Sequence, residues 1–436
     1  MRDIATILYH FWQARKLMQR FKTREQLEQW QEQRLSHFKR AILNQSPFYR
    51  EYCDKPLEVF PAINKKIMLE HFDAINTKGI ALSQALEISR LAEESRNFAP
   101  TINDITVGLS SGTSGKQSIF LASKAERLKW AGIMLAKALP GSITEPHKIA
   151  FFLRANSNLY TTLSKGRHIQ FHFFDLTQDF ETNLASLKEL QPSILTVPAS
   201  VLKQIAMAQE LGKIRIKPRK IFSVAEVLDS EDQSYIEAVF KQNVHQIYQC
   251  TEGFLGITNQ TGKLYLNEEY IHIEKEWVDK ESGRFVPIIT DFSRTTQPIV
   301  RYRLDDILVE DVSDTSPFTC LKSIEGRCDD VCYFPLQDGK LKPVFADIVR
   351  QAMIRAQASF REYKIIQHAP QKLEIQLLAE DITSCKQEVT ASIHRLCKQR
   401  GCVTPEIYFS SYIASPPHQK LRRIERRFAL PHMEAA

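Results

Sequence analysis

The chain has 436 residues, 43% hydrophobic and 25% charged, with a formal net charge of +7. These ordinary values exclude a disordered, collagen-like or low-complexity protein. The length exceeds one compact core and predicts two or three domains. No stretch approaches the roughly 20 apolar residues that cross a bilayer, so no integral membrane segment is expected.

The opening segment, MRDIATILYHFWQARKLMQRF, reads as an amphipathic helix with Ile4, Leu8, Phe11, Leu17 and Phe21 near helical spacing. Arg15, Lys16 and Arg20 break up any signal-like apolar core. A helix docked on the protein's own core is favoured over a membrane-surface or partner-binding one. The eight cysteines are scattered, none in a CxxC pair, and Cys328 and Cys332 lack a second ligand pair nearby. Free thiols in a reducing cytoplasm are expected, and no structural zinc.

Residues 1 to about 100 read as polar and helical, with FKTREQLEQWQEQRLSHFKRAIL the clearest helix and Pro47 and Pro61 as punctuation. From about 104, apolar runs alternate with helical patterns: HKIAFFLR, ETNLASLKEL, SILTVPAS, VLKQIAMAQELG, RKIFSVAE, DSEDQSYIEAVF and VHQIYQC. Strands and helices taking turns predict a parallel sheet with crossover helices. The strands end in small or polar residues, at Ser223 to Glu226 and Cys250 to Glu252, where open parallel sheets collect ligands. Residues 264–325 carry the shorter strands KLYLNE, YIHIEKEWVD, RFVPIITDF and ILVEDV, which predict a smaller β-rich subdomain. After GRCDD come VFADIVRQAMIRA (helix), EYKIIQHA and KLEIQLLA (strands), a helix near 384–399 and EIYFSSYI (strand). The expected fold class is α/β. A large N-terminal domain (1–325) has mixed or parallel sheets flanked by helices; a hinge (326–330) leads to a small mobile α+β C-terminal domain (331–436).

GLSSGTSGKQSIFL, residues 108–121, is dense in glycine and hydroxyl residues, with Lys116 after Gly115. Such a run lets backbone N–H groups approach phosphate oxygens. It is not a Walker A loop, because Ser110 holds the first glycine position and Gln117 follows the lysine. The basic tail containing Lys420, Arg422, Arg423, Arg426 and Arg427 suits phosphate handling, nucleic acid or a solvated face. His172 and His245 are single histidines without a matching carboxylate motif and read as structural.

The 108–121 run resembles the phosphate loop of the ANL adenylate-forming superfamily, which comprises acyl-CoA synthetases, nonribosomal adenylation domains and luciferases. Further motifs follow in the family's order: FSVAE (222–226), YQCTE (248–252), RYRLDDI (301–307), GRCDD (326–330) and PPHQKLRRIERR (416–427). The resemblance implies that Ser110, Ser111, Gly112, Thr113, Ser114, Gly115 and Lys116 surround the phosphates. It implies that Ala225 and Glu226 line the adenine pocket and that Tyr248 heads a motif in which Thr251 meets phosphate and Glu252 holds Mg²⁺. Asp306 would take the ribose hydroxyls, Arg327 would lie near the nucleotide, Asp329 would be the pivot and Lys420 the catalytic lysine.

The likeness is closest to the phenylacetate–CoA ligase branch, through FVPIITDFSRTTQPIVRYRLDDI and QSPFYREYCDKPLEVFPAINKKIM, and runs from about residue 38 to the end. The pattern also resembles a subgroup related to coenzyme F synthetases, which adenylylate a deazaflavin hydroxyl. Asp305 and Leu304 depart from the family's glycine and threonine, His418 and Gln419 from its serine and glycine, and LRANSNLY from its acyl-pocket stretch.

What the resemblance implies is ATP- and Mg²⁺-dependent adenylation of an aromatic or other hydrophobic carboxylic acid. Transfer would follow to coenzyme A or to phosphopantetheine on an acyl carrier protein. The alternative is adenylyl transfer to a hydroxyl without a thioester. A nucleic-acid-binding or scaffold role would leave the ordered motifs as coincidence, so no nucleic-acid partner is expected. A cytoplasmic protein is expected; its oligomeric state stays open, a homodimer being what the branch's frequent dimers imply.

Overall fold

The computed structural model describes residues 2–95, 101–109, 119–153, 168–356, 358, 360–414, 422–428 and 430. The chain forms two compact units, one from Met1–Leu304 and Val309–Ser323, the other from Asp305–Leu308 and Ile324–Pro416 with the residues beyond Lys420. Among the described residues no helix is long and apolar enough to cross a membrane.

The first unit opens with helices α1 (Arg2–Leu17), α2 (Arg24–Ala41), α3 (Lys65–Glu70), α4 (Phe72–Ile75) and α5 (Leu82–Ser95). Side-chain oxygens start them where the sequence offers caps: Thr23 accepts the Gln26 amide and Asn64 the Ile67 amide. Strands β1 (Thr101–Ile102), β2 (Ile105–Leu109) and β3 (Ile119–Ala122) make a small antiparallel sheet, and α6 (Lys124–Ala138) follows. The alternating stretch then gives β4 (His147–Leu153), β5 (Ile169–Asp175), α7 (Phe180–Leu190), β6 (Ile194–Pro198), α8 (Ala199–Glu210), β7 (Lys220–Val224), α9 (Ser230–Phe240) and β8 (Val244–Gln249). The order β5-β4-β6-β7-β8 is parallel throughout.

Residues 264–325 do not build a separate sheet. After β9 (Phe254–Thr258) come β10 (Leu264–Leu266), β11 (Ile271–Asp279), β12 (Arg284–Asp291), β13 (Ile299–Arg303), β14 (Asp306–Glu310) and β15 (Cys320–Arg327). These extend the parallel sheet in the order β11-β12-β14-β15-β10-β9-β8, with β13 on β12. The β8–β9 and β9–β10 pairings are antiparallel, so the sheet is mixed.

Helices cover both faces of the parallel part, and β6 and β7 are buried at every position, as such strands require. On one face Ile149, Ile194, Phe222, Val224 and Ile247 pack under α1 and α6. On the other, Phe152, Leu195, Val197 and Ile221 pack under α7, α8 and α9. Helix α1 docks on the core, but through Ile7, Phe11 and Ala14, while Ile4 is 45% exposed and Phe21 is buried beyond the helix end. The reason is Gly132 in α6: a Cβ there would lie 2.6 Å from the Ile7 carbonyl, so the two helices meet at backbone distance.

In the second unit, β16 (Cys332–Pro335) and β17 (Leu341–Val344) form a hairpin, and α10 (Ala346–Ile354) follows. Strands β18 (Phe360–Ala369) and β19 (Lys372–Ala379) form a second hairpin. After α11 (Ile382–Arg400), strands β20 (Glu406–Ser411) and β21 (Ile424–Arg426) add in parallel to its two sides. Val349, Met353, Val389 and Ile393 from the helices pack on Ile365, Ile375 and Leu377. All eight cysteines are free thiols.

Candidate functional site

Strands β7 and β8 run in parallel, with Val224 beside Ile247, so their carboxyl ends lie next to each other. Strand β7 leaves through Ala225, whose φ of 64° is left-handed, a conformation L-residues rarely adopt. That turn brings the Glu226 carboxylate back to accept the Ser200 N–H at 2.9 Å, in the first turn of α8. Strand β8 leaves through a tight turn in which the Cys250 N–H donates to the Gly253 carbonyl at 3.0 Å. Thr251 and Glu252 form its tip. The Thr251 hydroxyl donates to Glu252 Oε2 at 2.8 Å, and both residues are half-buried. Tyr248 lies earlier on β8, only 7% exposed and packed into the sheet.

The segment from Asp291 to Gln297, between β12 and β13, ties this turn to β3. Arg294 Nη1 donates to the Thr251 carbonyl at 2.9 Å and Nη2 to the Leu121 carbonyl at 3.4 Å, with the guanidinium over Phe120. The Gln297 side chain accepts the Leu121 N–H at 3.0 Å and donates to the Ile119 carbonyl at 3.3 Å. Glu126 receives the Thr295 and Thr296 amides at 2.6 and 3.0 Å while closing a capping box with Ser123 at the start of α6. Burial pushes the Glu126 carboxyl up, but the Arg294 charge and the bonds from Thr296 and Ser123 outweigh it and hold it below the ordinary value. Asp291 is 2% exposed and accepts the Ser293 amide at 2.7 Å. Burial raises its pKa against the pull of Ser293 and Arg294. Its other oxygen would lie 2.8 Å from a Cβ on Gly253, so glycine is required beside Glu252. Asp291, Arg294 and Gln297 lie within the 285–307 passage but received no role from it, and the one local signal for Glu126 is Ser-x-x-Glu at 123–126.

In the second unit, Asp306 begins β14 and is half-buried. Asp305 beside it accepts from Arg327 Nη2 at 2.7 Å, and its carbonyl accepts the Cys328 N–H at 2.7 Å. Arg327 is thus held next to Asp306 by an ion pair. Gly326 has φ 124°, and a Cβ there would lie 2.7 Å from Asp330 Oδ2. Asp330 accepts the Arg327 N–H at 2.8 Å and Arg422 Nε at 2.9 Å, which holds the start of β21 against the 328–330 turn. Asp329 lies in that turn; its side chain is outside the description. Ser110, Ser111, Gly112, Thr113, Ser114, Gly115, Lys116 and Lys420 lie outside the described residues.

A single carboxylate here could serve a hard divalent cation. Glu252 Oε2 is engaged by Thr251, and Oε1 has no hydrogen-bond partner among the described residues, which leaves a carboxylate oxygen free for Mg²⁺. Among the described residues, neither His172 on β5 nor His245 near the start of β8 hydrogen-bonds Glu226, Thr251 or Glu252. Burial and then Lys148 lower His172, while burial and then Lys220 push His245 down to about 4.

No protein-family model and no curated protein matches the sequence. Solved structures do. A 2-hydroxyisobutyryl-CoA ligase in its postadenylation state, in complex with 2-HIB-AMP, aligns over 90% of this chain and 88% of its own, with TM-score 0.64 and 16% identity. The amide bond synthetase McbA from Marinactinospora thermotolerans aligns over 73% and 67%, with TM-score 0.54 and 11% identity. The anthranilate CoA ligase AuaEII in complex with anthranoyl-AMP aligns over 72% and 66%, with TM-score 0.50 and 14% identity. The chain has the fold of these adenylate-forming enzymes.

Proposed function

We propose that the protein is an adenylate-forming ligase. It activates a carboxylic acid with ATP as an acyl-adenylate, releases pyrophosphate and passes the acyl group to the thiol of coenzyme A or a carrier-bound phosphopantetheine. The observation that carries this reading is the placing of Ala225–Glu226 and Thr251–Glu252 at adjacent carboxyl ends of a parallel sheet, in a fold shared with CoA ligases. An aromatic or other hydrophobic acid is the proposed substrate class, from the likeness of the 285–307 passage to the phenylacetate branch.

The acid's carboxylate attacks the α-phosphorus and the bond to pyrophosphate breaks, so negative charge grows on phosphate oxygens. The protein's work is orientation and electrostatic stabilisation. Glu252 would hold Mg²⁺, which supplies charge neutralisation at the phosphates. The Thr251 hydroxyl orients that carboxylate at 2.8 Å. Asp306 would accept from the ribose hydroxyls, with Arg327 beside it. Hydroxyl and backbone donors of Ser110 to Lys116 would hold the leaving pyrophosphate, and Lys420 would place its charge between carboxylate and α-phosphate.

The test is ATP–pyrophosphate exchange with Mg²⁺ across aryl, fatty and amino acids, with Lys420→Ala beside the wild type. Acid-dependent exchange that collapses in the variant is expected. ATP consumption that leaves a stable AMP ester on a hydroxyl, with no acid-dependent exchange, would overturn the ligase reading.

A further inference from the structure

The 291–297 segment meets the proposed catalytic turn at Thr251 and beside Gly253, and its cation is the part that reaches across to β3. We propose that Arg294 is a positioning residue: it sets the Thr251–Glu252 peptide against β3, and so fixes the metal-facing carboxylate relative to the strand that follows the Ser110–Lys116 motif. This rests on the adenylation reading for its functional consequence, but the geometry stands without it. Arg294 Nη1 bonds the carbonyl of the peptide that joins Thr251 to Glu252. Rotation of that peptide swings the Cα–Cβ bond of Glu252. The second arm bonds the Leu121 carbonyl in β3.

Two features make this a rigid fork. A planar guanidinium presents its donors at a fixed spread, which a lysine ammonium cannot reproduce. Behind it the segment is pinned at independent points: Thr295 and Thr296 on Glu126, Gln297 on Ile119 and Leu121, and the Thr77 hydroxyl on the Thr295 carbonyl at 2.8 Å. Arg294 therefore has little freedom to follow Glu252 if the turn shifts. Instead the turn is held where Arg294 places it. Outer groups that orient a metal's ligand typically change metal affinity by about 10–100-fold when removed.

The experiment compares the full-length wild type with Arg294→Lys, Arg294→Met and Thr77→Val. Thr77→Val loosens the same segment without reaching Thr251. Binding of the fluorescent nucleotide mant-ATP is titrated against Mg²⁺, and amide hydrogen exchange is followed in 119–122 and 250–253. Both Arg294 variants are expected to need about tenfold more Mg²⁺ for half-maximal binding and to exchange faster in both segments. Thr77→Val removes only one of several pins and should shift the Mg²⁺ requirement far less than the Arg294 variants, even where its melting temperature falls as far. Wild-type Mg²⁺ dependence in Arg294→Met, or an equal shift in Thr77→Val, overturns the proposal. If the wild type binds no nucleotide, the adenylation reading fails, and the exchange data still decide whether Arg294 clamps the turn: unchanged exchange at 250–253 in Arg294→Met rejects it.

Discussion

The carboxylate of Glu226 accepts the Ser200 amide at 2.9 Å, which locks the exit of β7 to the first turn of α8. A carboxylate at a helix N-terminus satisfies an orphan donor and meets the positive end of the helix dipole. Glu226→Ala should cost about 1 kcal/mol in urea unfolding, and Glu226→Gln about half of that, since the amide oxygen keeps the bond without the charge.

Ala225 makes that return possible at φ 64°. Left-handed backbone costs an L-residue roughly 1–2 kcal/mol, and β-branched residues more. Ala225→Gly should leave the melting temperature unchanged or slightly raised. Ala225→Val should lower stability by more than about 1 kcal/mol. Equal stability of the two variants would count against a left-handed exit.

Gly253→Ala would place a methyl 2.8 Å from Asp291 Oδ2. Neither side can yield cheaply, because Asp291 is buried and bound by Ser293. We expect a loss of roughly 1–3 kcal/mol and, on the proposed function, pyrophosphate exchange that falls further than the melting temperature explains.

Lys220 gives a pH dependence away from the site. It is 7% exposed, over Phe222, with Arg15 and His245 nearby, and burial and then Arg15 push it down to about 8. The unfolded chain binds more protons than the folded one between pH 8 and the ordinary lysine pKa near 10.5. Stability from this group therefore rises with pH across that window, and the penalty is fully present below pH 8. Lys220→Met should be more stable than wild type at pH 7 by roughly 1–2 kcal/mol. Melting curves from pH 7 to 10 should converge as the wild-type lysine loses its proton.

Asp330 holds the 328–330 turn and Arg422 together. Asp330→Ala leaves a largely buried guanidinium without that acceptor, which costs roughly 1–3 kcal/mol. The expected readout is faster proteolysis near β21, with the cleavage pattern of residues 1–300 unchanged.

The strand–helix alternation from residue 104 onward is legible because each apolar run is short, bounded and followed by a helical pattern. Strand β5 is not singled out by that reading: IQFHFFD ends the sheet order and is only partly buried, so polar Gln170 and His172 interrupt it. The face α1 buries is ambiguous in sequence, since both the 4-8-11 and the 7-11-14 rows are apolar; Gly132, far along the chain, decides it. The joining of 264–325 to the main sheet depends on pairings such as Leu264 with Leu321, which no local pattern announces. The motif residues of the site are visible because they end strands. Arg294 and Glu126 are not, because their partners lie far away in sequence and are mostly backbone groups, which carry no residue signature.

The docking of α1 also sets an order of events during synthesis. Ile7 and Phe11 belong to the same core as Leu128 and Ile257. At 5–20 residues per second, Leu128, the nearer of these, leaves the ribosome roughly 6–24 s after Ile7 does. Throughout that interval the apolar stripe of α1 has no native surface to cover it, so the nascent chain carries an open apolar face until α6 is made.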